Sequence, residues 1–403
     1  MVFFVYKIYA LITALIHPLL IVFLRIRLKK GKEDELRWRE KLGIYSRKRP
    51  DGKLIWLHVA SVGEMNSISK LIAILSQNAN VLVTSGTLTS AKNFNAFKGE
   101  KYEVFHQFAP LDSIIAVKRF LAHFKPDCSA ILESEIWLNT IYEASKVSKI
   151  FSINTSFSPK SLEKWKKAHK LFKWVLGRFS GIFPSSKIIA KELSLLGVKN
   201  LHFIGHLKYD ANFKASELDI DTLGKKIVCF ASIHPVEDLA IMEAVKMVIS
   251  RNDCLCILIP RHLEKIPEIT NNLAQNAVKY NFLTPTTGEV YVVDKMGKSL
   301  SFYAKSDVVF IGGSLAPIGG HNIIEPAFFG KAVIIGKHHF KCKEVVDDFK
   351  AENAVLVATK ENLKNIILEL LDDDKKREEI GNNALEFVKK HQEVSKFIAS
   401  FLQ

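Results

Sequence analysis

The sequence predicts an α/β chain made of two Rossmann-like halves behind an N-terminal apolar helix. First, short β-prone apolar runs alternate with helical segments through most of the 403 residues, the pattern of a mostly parallel sheet with helices on both faces. Second, this alternation restarts near Gly205, so that the halves meet around residues 205–222. Third, residues 1–28 are almost wholly apolar and lead directly into a basic cluster. The division read from this is an anchor over 1–28, a first Rossmann-like domain over 29–205 and a second over 206–403, in which a last helix over 376–401 could cross back onto the first.

In chain order, Ile8 to Leu24 is broken only by Thr13, His17 and Pro18, and a bilayer core needs about 20 apolar residues to span. No small-residue cleavage site follows, which argues against a removed signal peptide. Arg25, Arg27, Lys29, Lys30 and Lys32 would hold the body of the chain in the cytoplasm. An uncleaved crossing anchor is the first reading, a helix lying in the interface plane the second, and a buried core helix the third. Residues 34–42 read as a short charged helix at the membrane surface. In the first half, strands are expected at 54–60, 80–84, 127–132, 149–154, 181–184 and 201–204, with helices at 66–76 and 114–124. In the second half, strands are expected at 226–232, 254–260, 290–293, 308–311 and 332–335. Ligands of open α/β sheets bind at the carboxyl ends of the strands, so the loops after these runs hold the candidate chemistry.

A net charge of +15 implies an anionic partner. No zinc-finger spacing or aromatic RNA-binding motif is present, and the basic residues are spread along the chain. A membrane surface with phosphorylated or acidic substrates therefore fits better than nucleic acid. Cys128, Cys229, Cys254, Cys256 and Cys342 are odd in number and mostly lie in apolar strands, which suits reduced core residues of a cytoplasmic domain.

The most informative run is Asp307 to Ala327. A buried strand meets two glycine pairs, Gly312-Gly313 and Gly319-Gly320, and then His321-Asn322-Ile323-Ile324-Glu325 reads as a helix start. Strand, glycine loop and helix N-terminus together suit an anion, because unpaired N–H groups and the positive dipole end converge there. Asn322 and Glu325 taken alone are equally a capping pair. The spacing is neither GxGxxG nor a P-loop. Earlier, Ser61-Val-Gly-Glu64 is a capping box that needs no further role, yet Glu64 ends the first strand, and Gly63 beside it leaves room for a substrate. Glu133 and Glu135 sit together at another strand end, where they could raise each other's pKa or hold a hydroxylated substrate, or else form a solvated loop anchored by Trp137. Lys208 lies in the junction Gly205 to Asp210, and Arg261 follows Pro260 at a strand end, where a guanidinium can fork onto phosphate. The competing reading for each is a solvated surface residue, as junction lysines more often are. The loops at Ser232–His234 and Asp294–Lys298 end neighbouring strands and converge with the glycine run on one face. Asp219/Asp221 and Asp372–Asp374 fall away from strand ends, and no HExxH or paired CxxC occurs, so no divalent metal is expected in the chemistry.

In this order, these segments resemble the 3-deoxy-D-manno-octulosonic acid (Kdo) transferases of lipid A assembly. The resemblance rests on Leu57 to Glu64, Glu133 to Trp137, Asn154 to Ser158, Gly205 to Asp210, Pro260 to His262, Asp294 to Gly297 and Gly312 to Ala327. It implies a GT-B fold, with two Rossmann-like domains facing across a cleft. It also implies an inverting transfer of Kdo from the donor substrate CMP-Kdo, with no separate cofactor, to the tetraacyl disaccharide bisphosphate precursor of lipid A at the cytoplasmic face of the inner membrane. By the same resemblance, Glu64 is the general base, and Glu133 and Lys208 stabilise the transition state. Pro260 and Arg261, the turn Met296-Gly297-Lys298, and Asn322, Ile323, Ile324 and Glu325 bind CMP. Three positions depart from the family pattern: Leu138 and Ile323 stand where proline is usual, and Lys298 where an acid is usual. The last reverses the side-chain charge at that position and would leave a backbone contact intact. The competing readings are a GT-B enzyme of UDP-sugars, a GT-B-like sugar-nucleotide epimerase, and a membrane-bound scaffold without catalysis.

Overall fold

The computed structural model describes residues 2–94, 101–210, 213, 215–217, 222 and 224–403. Two compact units form: Met1–Asn212 together with Gln392–Gln403, and Phe213–His391.

The first unit holds a six-stranded sheet in the order β3-β2-β1-β4-β5-β6, parallel throughout. Its strands are β1 Leu54–His58, β2 Asn80–Ser85, β3 Val104–Phe108, β4 Cys128–Leu132, β5 Lys149–Thr155 and β6 Gly181–Pro184. Both faces are covered, which is why the strands are buried along almost their whole length and are mostly apolar. The two-residue period still sorts the side chains: Ile55 and Leu57 enter one core with Val81, Val83 and Ala130, while Leu54 and Trp56 enter the other with Phe120, Phe124 and Ile150. β3 escaped the sequence reading because His106 and Gln107 interrupt its apolar pattern, although both are buried. His106 Nε2 meets Ser85 Oγ at 2.8 Å, and its carbonyl accepts from Arg37 Nη2 at 2.9 Å. The strand expected at 201–204 reduces to a single bridge between Leu201 and Ile182.

The last helix is broken into Asp374–Lys390 and Val394–Leu402. The break is held by Asp210, whose carboxylate accepts from the Ser395 N–H and from Lys70 Nζ, and by Lys70 Nζ donating to the Gln392 carbonyl. Val394, Ile398 and Leu402 then complete the core beneath Leu71, Ile72 and Leu75 of the first unit.

The N-terminal helix α1, Val2–Lys29, is long and apolar enough to cross a membrane. Its inner stripe is tied to the first unit along most of its length. Tyr6 donates to Glu143 at 3.1 Å, Tyr9 donates to Asp112 at 2.8 Å, and His17 pairs with Ser113 at 2.6 Å. Leu24 packs on Trp38 and Leu42. The opposite stripe, including Phe4, Leu11, Leu15 and Leu19, is exposed. In place of the charged helix expected over 34–42 there is one short 3-10 turn, Trp38–Leu42.

The second unit carries a seven-stranded parallel sheet in the order β13-β12-β11-β7-β8-β10-β9. Its strands are β7 Lys226–Ile233, β8 Cys254–Pro260, β9 Tyr280–Asn281, β10 Val290–Val292, β11 Val308–Ile311, β12 Ala332–Gly336 and β13 Leu356–Ala358. β9, two residues long, is too short to leave a pattern in the sequence, whereas β13 lies in the apolar run Ala354–Ala358 that the sequence reading passed over. Central β7, β8 and β11 place their loops side by side at one end of the sheet.

Candidate active site

In the first unit, the tip of β1 turns into the helix Val62–Ser67 through a closed capping box. Ser61 Oγ accepts the Glu64 N–H at 3.2 Å and donates to Glu64 Oε1 at 2.9 Å, while the Ala60 N–H donates to Glu64 Oε2 at 2.9 Å. The cap is therefore real. It uses only two of the roughly four lone-pair positions of a carboxylate, so Glu64 keeps capacity to accept a further proton donor. Burial raises the Glu64 pKa; the Ala60 N–H bond opposes that, the negative charge of Glu133 adds to it, the Ser61 hydroxyl bond opposes it, and the charge of Glu135 adds a little more. Glu133 and Glu135 thus lie within electrostatic reach of Glu64. Glu133 sits at the end of β4 with φ +54°. A non-glycine residue held there costs of order 1 kcal/mol or more and persists where the surroundings enforce it; here its N–H is bound by the Ile153 carbonyl of β5. Asn154 repeats the left-handed conformation at the tip of β5. Trp137 is half exposed, and its indole N–H donates to Glu135 at 2.5 Å. The Lys208 backbone lies in the 3-10 turn Leu207–Asp210, and its side chain lies outside the described structure.

In the second unit, the glycine run is built differently from the expected anion nest. The N–H groups of Gly313, Ser314 and Leu315 turn inward onto Glu237, at 2.5, 2.9 and 2.8 Å. Glu237 is fully buried in the turn after β7. The sequence shows it only as an ordinary first-turn acid, so its role as a brace for a loop 76 residues away was missed. The helix expected at His321 begins at Ile324 and is a single turn, Ile324–Phe328. Asn322 Oδ1 accepts the Ile324 N–H at 3.0 Å, and its Nδ2 donates to Glu325 Oε1 at 3.1 Å. Loop N–H groups read as anion ligands are therefore largely internal fastenings, and side chains supply the positive charge instead. The His234 and His321 rings meet edge to edge and nearly coplanar, with centroids 5.2 Å apart, planes 7° apart and Nε2 atoms 2.9 Å apart, so one ring donates and the other accepts. Burial, then the charge of Arg261, lowers the His321 pKa to about 4, and His234, Lys341 and His262 add to the effect. Glycine is required where these side chains lie on the loop: a Cβ on Gly313 (φ +67°) would stand 2.7 Å from the His321 ring, and one on Gly319 (φ +113°) would stand 2.6 Å from Lys341 Cγ.

Pro260 ends β8 buried, while Arg261 is exposed beyond it, its N–H held by the Ile233 carbonyl at 3.0 Å. Burial raises the Glu325 pKa, against the Asn322 amide bond and the Arg261 charge. Arg261, His234, His262, His321, Lys341, Asn322 and Glu325 are thus brought together, with Ile323 and Ile324 buried behind them. The turn after β10 presents Met296 exposed, Gly297 at φ +77° and Lys298 ahead of the helix Ser299–Lys305.

The family of the chain follows from its relatives. A family model described as "3-Deoxy-D-manno-octulosonic-acid transferase (kdotransferase)" matches residues 36–211, and one described as "Glycosyl transferases group 1" matches residues 289–387. The 3-deoxy-D-manno-octulosonic acid transferase of Rickettsia bellii (strain RML369-C) is 34% identical over 407 residues, covering 96% of each chain. The chain belongs to the Kdo transferase family. As a Kdo transferase it is a glycosyltransferase, which removes the epimerase and scaffold readings. Two solved structures share its fold: a glycosyltransferase from Rickettsia africae ESF-5 (TM-score 0.60, 14% identity, 88% of this chain and 99% of that one) and the UDP-GlcNAc 2-epimerase of Neisseria meningitidis bound to UDP-GlcNAc (TM-score 0.61, 12% identity, 87% and 99%). At such identity the likeness is one of fold alone, the pair of Rossmann-like domains of the GT-B class. Among the described residues, no group of three or more His, Cys, Asp or Glu is arranged to hold a metal ion.

Proposed function

We propose that this Kdo transferase moves Kdo from CMP-Kdo to the tetraacyl disaccharide bisphosphate precursor of lipid A in one inverting displacement, without a metal ion, and with Glu64 as general base. The observation that carries the reading is the Glu64 carboxylate, buried at the tip of β1 with its pKa raised and part of its acceptor capacity unused. A base works best with a pKa near the operating pH, and burial moves a carboxyl in that direction. Glu64 takes the proton of the acceptor hydroxyl. The hydroxyl oxygen bonds to the anomeric carbon of Kdo while the bond from that carbon to the cytidylate phosphate breaks, and CMP leaves with the electron pair. A β-linked donor and an α-linked product, as in the family, require inversion of this kind.

Donor binding falls to Pro260, Arg261, Met296, Gly297, Lys298 and Asn322 to Glu325. The charges of Arg261 and Lys341 near the His234–His321 pair support offsetting the phosphate charge without a metal. Glu133 and Lys208 are assigned to stabilising the transition state. The attachment of α1 supports an in-plane helix over a crossing one, since a crossing helix of about 42 Å would carry Glu143, Asp112 and Ser113 into hydrocarbon. The outer stripe of α1 would then seat the first unit on the cytoplasmic face of the inner membrane.

Glu64→Gln tests the reading. Transfer of labelled Kdo should fall by about 10²–10⁴-fold, the range for a positioned general base, while CMP binding by calorimetry is retained. Near-normal turnover in this variant would place the base elsewhere.

A further inference from the structure

The first unit contains a cavity of about 240 Å³ that the proposed mechanism does not use. Trp56, Ala60, Gly86, Leu111, Asp112 and Trp137 are among its walls. Its surface is mostly carbon, and the polar side chains that reach it are already engaged. Lys41 is paired with Glu33 at 2.5 Å, and His58 Nδ1 with Thr84 Oγ1 at 2.9 Å. Asp112 accepts from Tyr9, from the Asn139 N–H and from the Thr140 N–H and hydroxyl. The Trp137 indole donates to Glu135. A sugar ring would lose its water there and gain few partners, a loss of order 1–3 kcal/mol per unmatched polar group. An apolar chain loses nothing of the kind.

Two neighbours define what such a chain would belong to. On one side, Ala60 holds the Glu64 carboxylate through its N–H. On the other, Leu111 packs with Leu20, Ile21 and Leu24 of α1, and Asp112 is bonded to Tyr9 of α1. The cavity therefore lies between the candidate base and the helix whose outer stripe is apolar and exposed. We infer that this cavity takes part of one acyl chain of the acceptor, drawn from the membrane beside α1, and so fixes the reacting hydroxyl against Glu64. The inference rests on the lipid acceptor of the proposed function. It assigns Gly86 and the two tryptophans to acceptor specificity.

Gly86 offers a clean test. It lines the cavity, nothing lies within 4 Å of a Cβ built there, and its φ is not in the left-handed region. Gly86→Phe should fill the space without forcing the backbone, and Gly86→Ala should not fill it. With the full chain in phospholipid nanodiscs, Gly86→Phe should raise the KM for the tetraacyl acceptor at least tenfold, which is about 1.4 kcal/mol. It should leave the KM for CMP-Kdo unchanged, and Gly86→Ala, which adds one methyl group, should raise the acceptor KM far less than Gly86→Phe. An unchanged acceptor KM in Gly86→Phe would overturn the inference.

A second measurement does not depend on turnover. A tetraacyl acceptor carrying a diazirine at an acyl end, photolysed on the wild-type protein, should label cavity residues, and this labelling should vanish in Gly86→Phe. Labelling confined to the outer stripe of α1, or insensitive to the substitution, would overturn the inference even if CMP-Kdo is the donor. Cavity labelling by a protein that transfers no Kdo would support the acyl site and leave only the proposed reaction refuted.

Discussion

Glu237 gives the sharpest energetic prediction. Its carboxylate is fully buried and is the acceptor for three successive backbone N–H groups of the glycine loop, those of Gly313, Ser314 and Leu315. Glu237→Ala leaves all three donors without that acceptor in a dry site, at roughly 1–3 kcal/mol each. Removal of a buried charge offsets part of this, so a net loss of about 3–5 kcal/mol is expected. Out of a typical 5–15 kcal/mol that is severe. At about 2–4 °C per kcal/mol for a domain of this size, melting should fall by about 6–20 °C. Glu237→Gln keeps one acceptor oxygen but turns an amide N–H₂ toward a backbone donor, so it should fall between Ala and wild type. Differential scanning calorimetry of the full chain in detergent reads the stability, and CMP titration reads the loop, because Gly313 lies against the His321 ring. If Glu237→Ala melted within about 2 °C of wild type and bound CMP normally, the loop would not depend on this brace.

The remaining expectations are smaller. Gly313→Ala puts a Cβ 2.7 Å from the His321 ring at φ +67°; it should weaken CMP binding by tenfold or more while far-UV circular dichroism is unchanged. The Asp238 carboxyl is pushed up to about 6 by burial, and its Oδ1 has no hydrogen-bond partner. The folded state thus holds a proton that the unfolded chain has released by about pH 4. Stability from this group is full below pH 4 and is lost as pH rises to about 6. Asp238→Asn should flatten that decline in urea titrations across the window, and an unchanged slope would refute the assignment. For Glu64, whose pKa is likewise raised, the acid limb of kcat should lie above the ordinary carboxylate range; a limb near pH 4 would argue against it as the base. Chelation with EDTA should leave Kdo transfer unchanged, and a loss restored by a divalent cation would refute the metal-free reading.

The sequence alone determined the local and the periodic. The mostly apolar strands, the βα alternation, the capping box at Ser61–Glu64 and the apolar length of α1 are written in neighbouring residues, because each depends on side-chain period, propensity or a contact three or four positions away. Strands 181–184, 254–260 and 308–311 and the helix 114–124 were legible to the residue for this reason. The motif string also marked the family. Tertiary structure alone decided whatever needs partners remote in the chain. A carboxylate at 237 turns inward the very N–H groups that the glycine run seemed to offer a phosphate, because β7 and β11 are neighbours in the sheet. His106 and Gln107 continue a strand because Ser85 and Arg37 meet them there. The final helix breaks because Lys70 and Asp210, far away in sequence, hold the backbone at 392 and 395. Burial of polar groups is stable only with such partners, and no pattern confined to one segment of chain records where those partners will come from.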